Sequence, residues 1–530
     1  MIQKPKGTKD IYGQQERIYQ FIFNTFTEVA NAFNLNKIIT PTFEHYELFR
    51  STTGDQSDIV SKEIYKFEDF GKRMLALKPE GTAPVGRAII ENKLYLEKKY
   101  NKLYYIDSMF RYEKPQKGRL RQFYQIGIEL INDLSIYTVL ETILIATTFL
   151  NKLKINDYKL QINSLGQTQD RANYIEQLKI YFEQHKDQLS AESQRRIAAN
   201  PLRILDDKID SQLDVVKNAP QINQFWSEES KAEFNLLLKL LDQLKIDYEI
   251  NYSLVRGLDY YSNIVYEFVS DSKALGVKST LIGGGTYLDL VDSPSNPING
   301  VGFGCGVERL FEILLAANLY PTEEAVDCYF LIENDKQYLE VLEPIYQLRQ
   351  LDYRVEFNYQ IRKFKKLFQD AKYFQAKMII FQELDQQGGD LWTIKFNETK
   401  IICKQSELVM KAAIITSYYS IILSLINNID KSFYYIDSIA NTTFNDEFVF
   451  KKEKDKWNKF ESWYSEKILN KICLSIITPL NLNIEDKLEI IEISFKCLKE
   501  HLKEKETHLK IMWEKNIEKY CKSNLKSRDY

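Results

Sequence analysis

The chain is poor in the residues that bind metals or cross-link secreted proteins. Its 530 residues include four histidines and six cysteines, and no two cysteines form a C-x-x-C pair. Zinc sites and disulfide frameworks both draw on recognisable cysteine spacings, so the sequence argues against either one. Scattered cysteines of this kind are typical of reduced thiols in the cytoplasm.

The chain also lacks a strong excess of charge of either sign. Its formal net charge is −3, so contact with nucleic acid must come from local basic patches rather than from a global field. The N-terminus, MIQKPKGTKDIYG, is polar. We expect no secretory signal, because the apolar segment of such a signal is missing from it.

Long uncharged stretches are scarce as well. The stretch 412–429 carries no charged residue and spans 18 positions, but Thr, Ser, Tyr and Asn interrupt it. That composition favours a buried helix over a membrane span, so we expect no membrane association. With 44% hydrophobic and 27% charged residues, the chain has the composition of a globular protein and the length of roughly three or four domains.

Periodicity predicts the first elements. Apolar residues recur at helical spacing through 14–34, which predicts an amphipathic helix. The following segment, KIITPTFEHYELF at 37–49, predicts a strand interrupted at Pro41. Residues 74–82, MLALKPEGT, predict a strand, a turn that carries Glu80, and a helix that starts near Thr82.

Three motifs combine charged residues with glycine in a way that suits a small polar ligand. The first, MFRYEKPQKGRLRQFYQIGIE at 109–129, predicts strands at 103–111 and 121–131 joined by a charged loop. The second, LVRGLDYY at 254–261, places a cation, an acid and two phenols around a permissive glycine. The third, GVGFGCGVERLFEIL at 300–314, leads through glycines into a helix whose N-terminus attracts anions.

The first and third motifs resemble motifs two and three of the class II aminoacyl-tRNA synthetases. The octapeptide LVRGLDYY narrows the resemblance to histidyl-tRNA synthetases of the bacterial type. The order of the motifs, with EGT at 80–82 upstream, argues against a chance match. The resemblance is detailed over about residues 4–320 and weak over 324–408.

The resemblance implies an α+β fold of several parts. These are a class II antiparallel-sheet catalytic domain (1–166 and 250–320), a helical insertion domain (167–249), an α/β anticodon-binding-like domain (324–408) and, beyond the resemblance, a mainly helical C-terminal extension (410–530). Short apolar runs that alternate with helical segments independently predict a mixed sheet in the third part.

The resemblance further implies that ATP activates L-histidine to histidyl-adenylate, and that histidine then passes to the 3′ end of tRNA(His). Catalytic roles fall to Arg111, Arg256 and Arg309, because fixed cations stabilise charge that gathers on the α-phosphorus. The implied ATP-binding residues are Arg111, Glu113, Arg119, Phe123 and Arg309. Phe123 would stack on adenine, Mg²⁺ would accompany the outer phosphates, and no dedicated metal ligands are implied.

Histidine is implied to lie among a second set of residues: Glu80, Gly81, Thr82, Arg111, Gln125, Glu129, Arg256, Tyr260, Tyr261 and Tyr287. Glu80, Thr82 and Gln125 would surround the α-amino end, and Glu129 and Tyr261 would meet the imidazole. Which carboxylate faces which end is left open by the sequence. A site that hydrogen-bonds both ring nitrogens rejects other amino acids.

The remaining implications concern macromolecular partners. Gln116, at the tip of the motif two loop, is implied to approach the acceptor end of the tRNA, and the insertion is implied to clamp the acceptor arm. The first helix and strand are implied to build a homodimer interface. Lysines in IRKFKKLF at 361–368 offer a basic patch, which either meets tRNA phosphates or is a solvated helix face.

The sequence departs from the family pattern in two ways. Family members usually have GGGRYDGL after the octapeptide, whereas this chain has GGGTYLDL at 283–290. Thr286 therefore replaces an arginine and the acid moves to Asp289, while Tyr287 is retained. In addition, the region 324–408 keeps few of the glycines that are typical of the family.

The residues beyond 410 have no counterpart in an ordinary family member. Apolar residues there alternate at spacings of three and four at Leu488, Ile491, Phe495, Leu498 and Leu502, and Leu509 and Met512 continue the stripe. This pattern predicts an amphipathic helix that packs on its own domain, with a coiled coil as the alternative.

A non-catalytic function is the main alternative. Synthetase-like paralogues sense histidine and regulate the first enzyme of histidine biosynthesis, and they typically lose the octapeptide and the motif arginines. Arg111, Arg256 and Arg309 are all present here, which favours the enzyme. The same residues argue against a tRNA-binding protein that no longer activates amino acids.

Overall fold

A computed structural model of the chain describes residues 2–412, except for 55–56, 58, 98–100, 208, 257–259, 277–278, 291–297, 323–324, 385–389, 397–398 and 410. The chain divides into two compact units, 1–323 and 324–530. The predicted helix with the 488–512 stripe, nearly all of the uncharged stretch, and Gly257 and Asp259 of the octapeptide lie outside the described residues. Within those residues, no helix is long and apolar enough to cross a membrane.

Helices and strands alternate along the described part of the chain. The helices are α1 (Gln14–Ala32), α2 (Tyr46–Thr53), α3 (Thr82–Glu91), α4 (Ile136–Lys152), α5 (Thr168–Gln184), α6 (Ala191–Ala199), α7 (Leu202–Leu205), α8 (Asp214–Lys217), α9 (Glu228–Gln243), α10 (Val307–Ala317), α11 (Asp335–Gln350) and α12 (Phe364–Tyr373). The strands are β1 (Asn36–Lys37), β2 (Phe43–His45), β3 (Lys66–Glu68), β4 (Met74–Leu77), β5 (Lys102–Phe110), β6 (Gln122–Ile131), β7 (Lys159–Ser164), β8 (Tyr248–Ile250), β9 (Tyr261–Ser270), β10 (Ser279–Tyr287), β11 (Gly300–Gly306), β12 (Cys328–Phe330), β13 (Val355–Phe357), β14 (Met378–Leu384), β15 (Asp390–Phe396) and β16 (Thr399–Cys403).

The first unit is built on a large sheet with the strand order β1-β5-β6-β11-β10-β9-β7-β8. Its central pairs are antiparallel, and only the outer pairs β1–β5 and β7–β8 are parallel among the described strands. The core under this sheet joins α1, α4 and β11, where Phe26 lies 5.0 Å from Phe149 and 6.5 Å from Phe303 between ring centroids. The predicted first helix and the two predicted motif two strands are confirmed.

The strand predicted over 37–49 is wrong in its second half, because residues 46–53 form α2. Tyr46 and Phe49 are three residues apart and therefore share a helix face. Phe49 is fully buried against Val60, Ala76 and Ala83. A tertiary contact thus overrides a local pattern that is too short to distinguish a strand from a helical turn.

Two further elements frame the first unit. Strands β2, β4 and β3 form a small separate antiparallel sheet. The segment 167–249 is mostly helical and holds α5 to α9. Asp170 in the first turn of α5 accepts hydrogen bonds from Ser227 and Ser230 at the start of α9, so one carboxylate joins the two longest helices of the segment.

The second unit contains a mixed sheet with the strand order β13-β12-β14-β15-β16. Strand β12 is parallel to β13 and β14, and the remaining pairs are antiparallel. The predicted apolar runs DCYFLI, YRVEF, AKMIIF and LWTIKF fall on β12, β13, β14 and β15. The basic patch lies at the start of α12, where Lys365 and Lys366 are exposed.

Glu308, in the first turn of α10, joins three elements of the first unit. Its side chain is buried, and Oε1 accepts the backbone N–H of Tyr124 in β6 at 2.9 Å and the hydroxyl of Tyr19 in α1 at 3.3 Å. Burial raises the pKa of Glu308 to about 7, although these hydrogen bonds and the charge of Lys9 oppose the shift. The junction therefore contains a carboxyl group that titrates near neutral pH.

We expect Glu308 to destabilise the fold as pH rises. Its pKa is about 7 in the folded chain against an ordinary value of 4.5, so the folded state holds the proton more tightly. The resulting stabilisation is full below pH 4.5 and is lost as pH rises toward 7. Glu308→Gln should flatten the pH dependence of unfolding by an amount on the order of 1–3 kcal/mol.

Thermal unfolding of both proteins at pH 5.5 and 7.5 measures this difference. The other buried carboxyl groups titrate in both proteins, so the comparison isolates Glu308. An equal fall in Tm with pH for the variant and the parent would contradict the prediction.

Candidate active site

The candidate site lies where β5, β6, β10 and β11 of the large sheet meet. Side chains alternate along a strand, so Phe123, Gln125 and Glu129 of β6 project from one face. Residues directly opposite each other on paired strands share a face. Tyr105 of β5 faces Gly127, and Gly302 of β11 faces Glu129.

Glycines on this face leave room for charged side chains. A Cβ atom on Gly302 would collide with the carboxylate of Glu129, and one on Gly283 would collide with the guanidinium group of Arg256. In the third motif, Gly300 and Gly304 likewise mark close approaches, by the hydroxyl of Tyr287 and the amide of Gln125.

Glu80 occupies the N-terminal end of α3, which begins at Thr82 as predicted. Its buried carboxylate accepts the backbone N–H groups of Thr82 at 2.7 Å and Ala83 at 2.9 Å, two of the amide groups that a helix start leaves without partners. Burial raises the pKa of Glu80, while these hydrogen bonds and the charge of Arg111 lower it. The N–H of Gly81 donates to Oε1 of Gln125 at 3.1 Å, which fixes the turn against β6.

Glu129 is buried beside Glu80 with an unfilled hydrogen-bonding position. Its Oε1 accepts the hydroxyl of Thr82 at 2.7 Å. The hydroxyl of Tyr287 lies near this carboxylate, but neither that hydroxyl nor Oε2 of Glu129 makes a well-formed hydrogen bond within the described residues. Burial and the charge of Glu80 raise the pKa of Glu129 to about 8. A buried acceptor without a partner is costly, so a ligand N–H group would be stabilised here.

Three tyrosines complete what we call the carboxylate–phenol pocket. The ring of Tyr260 lies 4.7 Å from Tyr261 and 6.1 Å from Tyr287 between centroids. All three are buried. Burial, with the nearby charge of Glu129, raises the pKa of each phenol, so each is neutral at physiological pH and retains a hydroxyl donor.

A second group of side chains surrounds Glu113, and we call it the arginine cluster. Arg111 donates from Nε to the carbonyl of Pro79 at 2.8 Å, and its guanidinium lies 5.3 Å from the ring centroid of Phe123. The carboxylate of Glu113 lies 3.0 Å from Arg119 and 4.0 Å from Arg111.

Arg309 belongs to the same cluster and enters from α10. It donates to the backbone carbonyl of Thr280. Burial lowers the pKa of Arg309, and the neighbouring charge of Arg119 lowers it further. Two guanidinium groups held close together in a partly buried site favour the arrival of an anion.

Arg256 connects the pocket to the cluster. Its guanidinium lies 5.4 Å from the ring centroid of Tyr261 and forms an ion pair with Glu267. Glu267 in turn accepts the hydroxyl of Thr280, whose carbonyl accepts Arg309. Burial lowers the pKa of Arg256, but the Glu267 carboxylate and the phenols of Tyr261 and Tyr260 together raise it overall.

Gln116 joins neither group. It lies exposed at the tip of the β5–β6 hairpin, where its backbone exchanges hydrogen bonds of 2.9 and 3.1 Å with Arg119. Gly118 in this turn has a φ of +70°, a left-handed conformation that favours glycine. Lys117 lies 3.6 Å from Glu312 of α10, so the tip is tied to the third motif.

Thr286, at the position of the family arginine, is satisfied within the sheet. Its hydroxyl donates to the carbonyl of Ile264 at 3.3 Å, and the residue is buried. The backbone N–H of Asp289 donates to the side chain of Asn299 at 2.9 Å.

The sequence did not point to Tyr105, Glu267 or Thr280. The hydroxyl of Tyr105 donates to Gln125 at 3.3 Å, and its ring fills the space that the missing Cβ of Gly127 leaves. The alternation of side chains along the two predicted strands could have indicated that Tyr105 lies on the same sheet face as Gln125 and Glu129. Glu267 and Thr280 lie outside the three motifs, so nothing in the local pattern distinguished them from ordinary strand residues.

Metal-binding features are sparse in the part of the chain that the structure describes. No three or more His, Cys, Asp or Glu side chains there are grouped to hold a metal ion. Cys305, Cys328 and Cys403 are buried and not in disulfides.

Known proteins resemble this chain over most of its length. A family model described as histidyl-tRNA synthetase matches residues 7–310. A histidine–tRNA ligase of Malacoplasma penetrans is 40% identical over 402 residues, or 75% of this chain and 94% of that relative. A histidine–tRNA ligase of Streptococcus pneumoniae is 41% identical over 404 residues, with the same coverage of 75% and 94%.

A solved structure agrees with the sequence matches. The crystal structure of apo S. aureus histidyl-tRNA synthetase has a TM-score of 0.66 and 31% identity, and the match covers 77% of this chain and 99% of that one. Together with the antiparallel sheet of the first unit, this match confirms the predicted class II fold. The chain belongs to the histidyl-tRNA synthetase family.

Proposed function

We propose that the chain is an ATP-dependent ligase that activates L-histidine and transfers it to the 3′ end of tRNA(His). Family membership supports the overall reaction. The observation that carries the proposal is the position of Arg256, which contacts Tyr261 of the carboxylate–phenol pocket and is linked through Glu267 to Arg309 of the arginine cluster. An amino acid in the pocket and a triphosphate on the cluster would meet at this residue.

The pocket suits histidine because it offers hydrogen-bond acceptors and neutral phenols in a buried space. The open Oε2 of Glu129 accepts an N–H group of the amino acid, and the nearby charge of Glu80 favours a cationic α-amino group. Tyr260, Tyr261 and Tyr287 form the wall. An amino acid without matching donors would leave these buried groups unpaired, which accounts for selectivity.

The arginine cluster suits ATP. Adenine lies against Phe123, on which Arg111 already rests, and Glu113 accepts the adenine amino group. Arg111 and Arg256 meet the α-phosphate, and Arg119 and Arg309 meet the outer phosphates. Mg²⁺ with those phosphates would be held mainly by phosphate oxygens and water.

The chemistry then proceeds in two displacements. A carboxylate oxygen of histidine attacks the α-phosphorus, a new P–O bond forms, and the bond to pyrophosphate breaks. Charge grows on the phosphoryl oxygens, and the preset guanidinium groups stabilise it without reorganisation. In the second step a terminal ribose hydroxyl of the tRNA attacks the histidyl carbonyl carbon, and AMP leaves.

The tRNA is expected to approach over the β5–β6 hairpin. Gln116 is exposed at its tip, and Arg119 joins the same turn to the arginine cluster. Helix α5 of the 167–249 segment adjoins the carboxylate–phenol pocket, since Arg171 donates to the carbonyl of Tyr261 at 2.8 Å. Because the product serves translation, the proposal includes a reaction in the cytoplasm.

A homodimer forms part of the proposal. Phe43 faces Leu77 and Phe67 faces Leu75 across the small sheet, so these four side chains share one face. Phe43 and Phe67 are 52% and 43% exposed and lie 6.4 Å apart between ring centroids. A grouped exposed apolar face of this kind is typical of a protein interface, and the occupant we propose is a second copy of the chain.

Pyrophosphate–ATP exchange with each of the twenty amino acids tests the activation step. We expect exchange with histidine alone, and Arg256→Ala should reduce its rate on the order of 10²–10³-fold because a preset charge is lost. Arg73→Ala, which removes an exposed arginine paired with Asp69, is the control.

The two outcomes that contradict the proposal are distinct. A folded protein that supports no exchange with any amino acid contradicts the ligase assignment. Near-normal exchange by Arg256→Ala would remove Arg256 from the mechanism and leave the ligase assignment in place.

Histidine binding should strengthen as pH rises through the pKa of Glu129, about 8. An N–H donor prefers the ionised carboxylate, which is a minor species at pH 6.5. The ratio of the KM for histidine of the parent to that of Glu129→Gln should fall about ten-fold from pH 6.5 to 8.5. The ratio cancels the titration of histidine itself, and an unchanged ratio would count against Glu129 as a ligand.

Charge on the exposed face of the small sheet should dissociate the dimer. Phe43→Asp with Phe67→Asp places two carboxylates in an apolar contact, so sedimentation should show a dimer for the parent and a monomer for the variant. Ile180→Asp, at an exposed apolar position of α5, should stay dimeric. A dimeric double variant would place the interface elsewhere.

A further inference from the structure

Glu267 lies between the two arginines that the proposed function assigns to the α-phosphate and the outer phosphates. It belongs to β9, outside the three motifs, and its two carboxylate oxygens engage different partners. We propose that Glu267 is a positioning residue that orients Arg256 directly and Arg309 through Thr280, and so sets the spacing of the two guanidinium groups that receive ATP. This inference rests on the proposed function.

The first contact is the ion pair between Glu267 and Arg256. Both side chains are 16% exposed, so water screens the pair only weakly. Gly283 lies directly opposite Glu267 on β10, and a Cβ atom there would collide with the Arg256 guanidinium. The missing side chain therefore creates the place in which Arg256 meets the carboxylate.

The second contact runs through Thr280. Its hydroxyl donates to Oε2 of Glu267 at 2.7 Å, and its backbone carbonyl accepts the guanidinium of Arg309. The register of β10 against β9 shifts between Thr280 and Ile282. Such irregularities redirect neighbouring groups. Here the hydroxyl and the carbonyl of Thr280 together connect Glu267 to Arg309.

Arg256 keeps unused hydrogen-bonding capacity in this arrangement. A guanidinium carries five N–H donors, and NH1 is the group that donates to Glu267. The Nε of Arg256 is buried and makes no hydrogen bond within the described residues. Glu267 thus fixes the direction of the group and leaves donors for a phosphate.

The negative charge of Glu267 also stabilises the charged form of Arg309. Burial and Arg119 lower its pKa, whereas Glu113 and Glu267 raise it. A negative charge between Arg256 and Arg309 offsets the repulsion that would push the two guanidinium groups apart before ATP binds. Removing that charge should misplace both groups while the pocket for histidine stays intact.

Pyrophosphate exchange by Glu267→Gln, Thr280→Val and the double variant tests this role in the full-length chain. Glu267→Gln keeps the size and an acceptor oxygen, and Thr280→Val keeps the carbonyl that holds Arg309. We expect kcat to fall about 10–100-fold for Glu267→Gln, as is typical when the support of a reacting group is lost, with the KM for histidine within about two-fold of the parent.

The double variant measures coupling. Because the hydroxyl of Thr280 acts through Glu267, Thr280→Val should lower kcat several-fold in the parent but less than about two-fold in Glu267→Gln. Glu141→Gln is the matched control: it removes the charge of Glu141 on α4 from a 2.6 Å ion pair with Lys102 of β5, and it should keep the parental kcat. Thermal unfolding of each variant reports whether the fold is retained.

Three results would overturn the inference. These are a parental kcat for Glu267→Gln, effects that multiply fully in the double variant, and recovery of Glu267→Gln activity at raised Mg²⁺, which would make Glu267 a metal ligand. If Glu267→Gln does not fold, a parental kcat for Thr280→Val would overturn the proposed role of Glu267. Absence of exchange in the parent protein overturns the proposed function instead.

Discussion

The burial of charge on a glycine-lined sheet face is the constraint on which the site depends. Charged groups are expensive to bury unless they are paired or hydrogen-bonded. Glu80 meets this requirement through the backbone amides of α3, and Arg256 meets it through Glu267. Gly283 and Gly302 supply the space, because a Cβ atom at either position would displace a charged group. Fold and chemistry are therefore fixed by the same packing.

The two buried carboxylates of the site differ in how fully they are hydrogen-bonded. Glu80 has both oxygens engaged by the helix, whereas Glu129 keeps one oxygen without a hydrogen bond in the described part of the chain. Burial raises the pKa of Glu129 to about 8. Burying that oxygen without a partner costs free energy, and a ligand with a matching donor removes this cost when it binds. A ligand without the donor does not, so the same group contributes to affinity and to selectivity.

The local sequence pattern predicted secondary structure correctly where a single element determines it. The pattern failed where contacts with other elements determine it. The helix α1 follows from apolar periodicity, and the start of α3 follows from the strand–turn–helix pattern around Glu80. The strand predicted over 37–49 failed from residue 46 onward, because Phe49 is buried against residues from other elements and forms part of α2. Short segments carry too little periodicity to resist such contacts.

The sequence by itself determined the family, the identity of the motif residues and the order of the main elements, since these depend on residue type and spacing along the chain. Tertiary structure alone decided that Tyr105 fills the space beside Gly127, and that Glu267 and Thr280 connect Arg256 to Arg309. The physical reason is that strand register pairs residues far apart in sequence. A β-bulge, or the side chain that fills the space beside a glycine, sets which polar groups meet, and neither can be read from one strand alone.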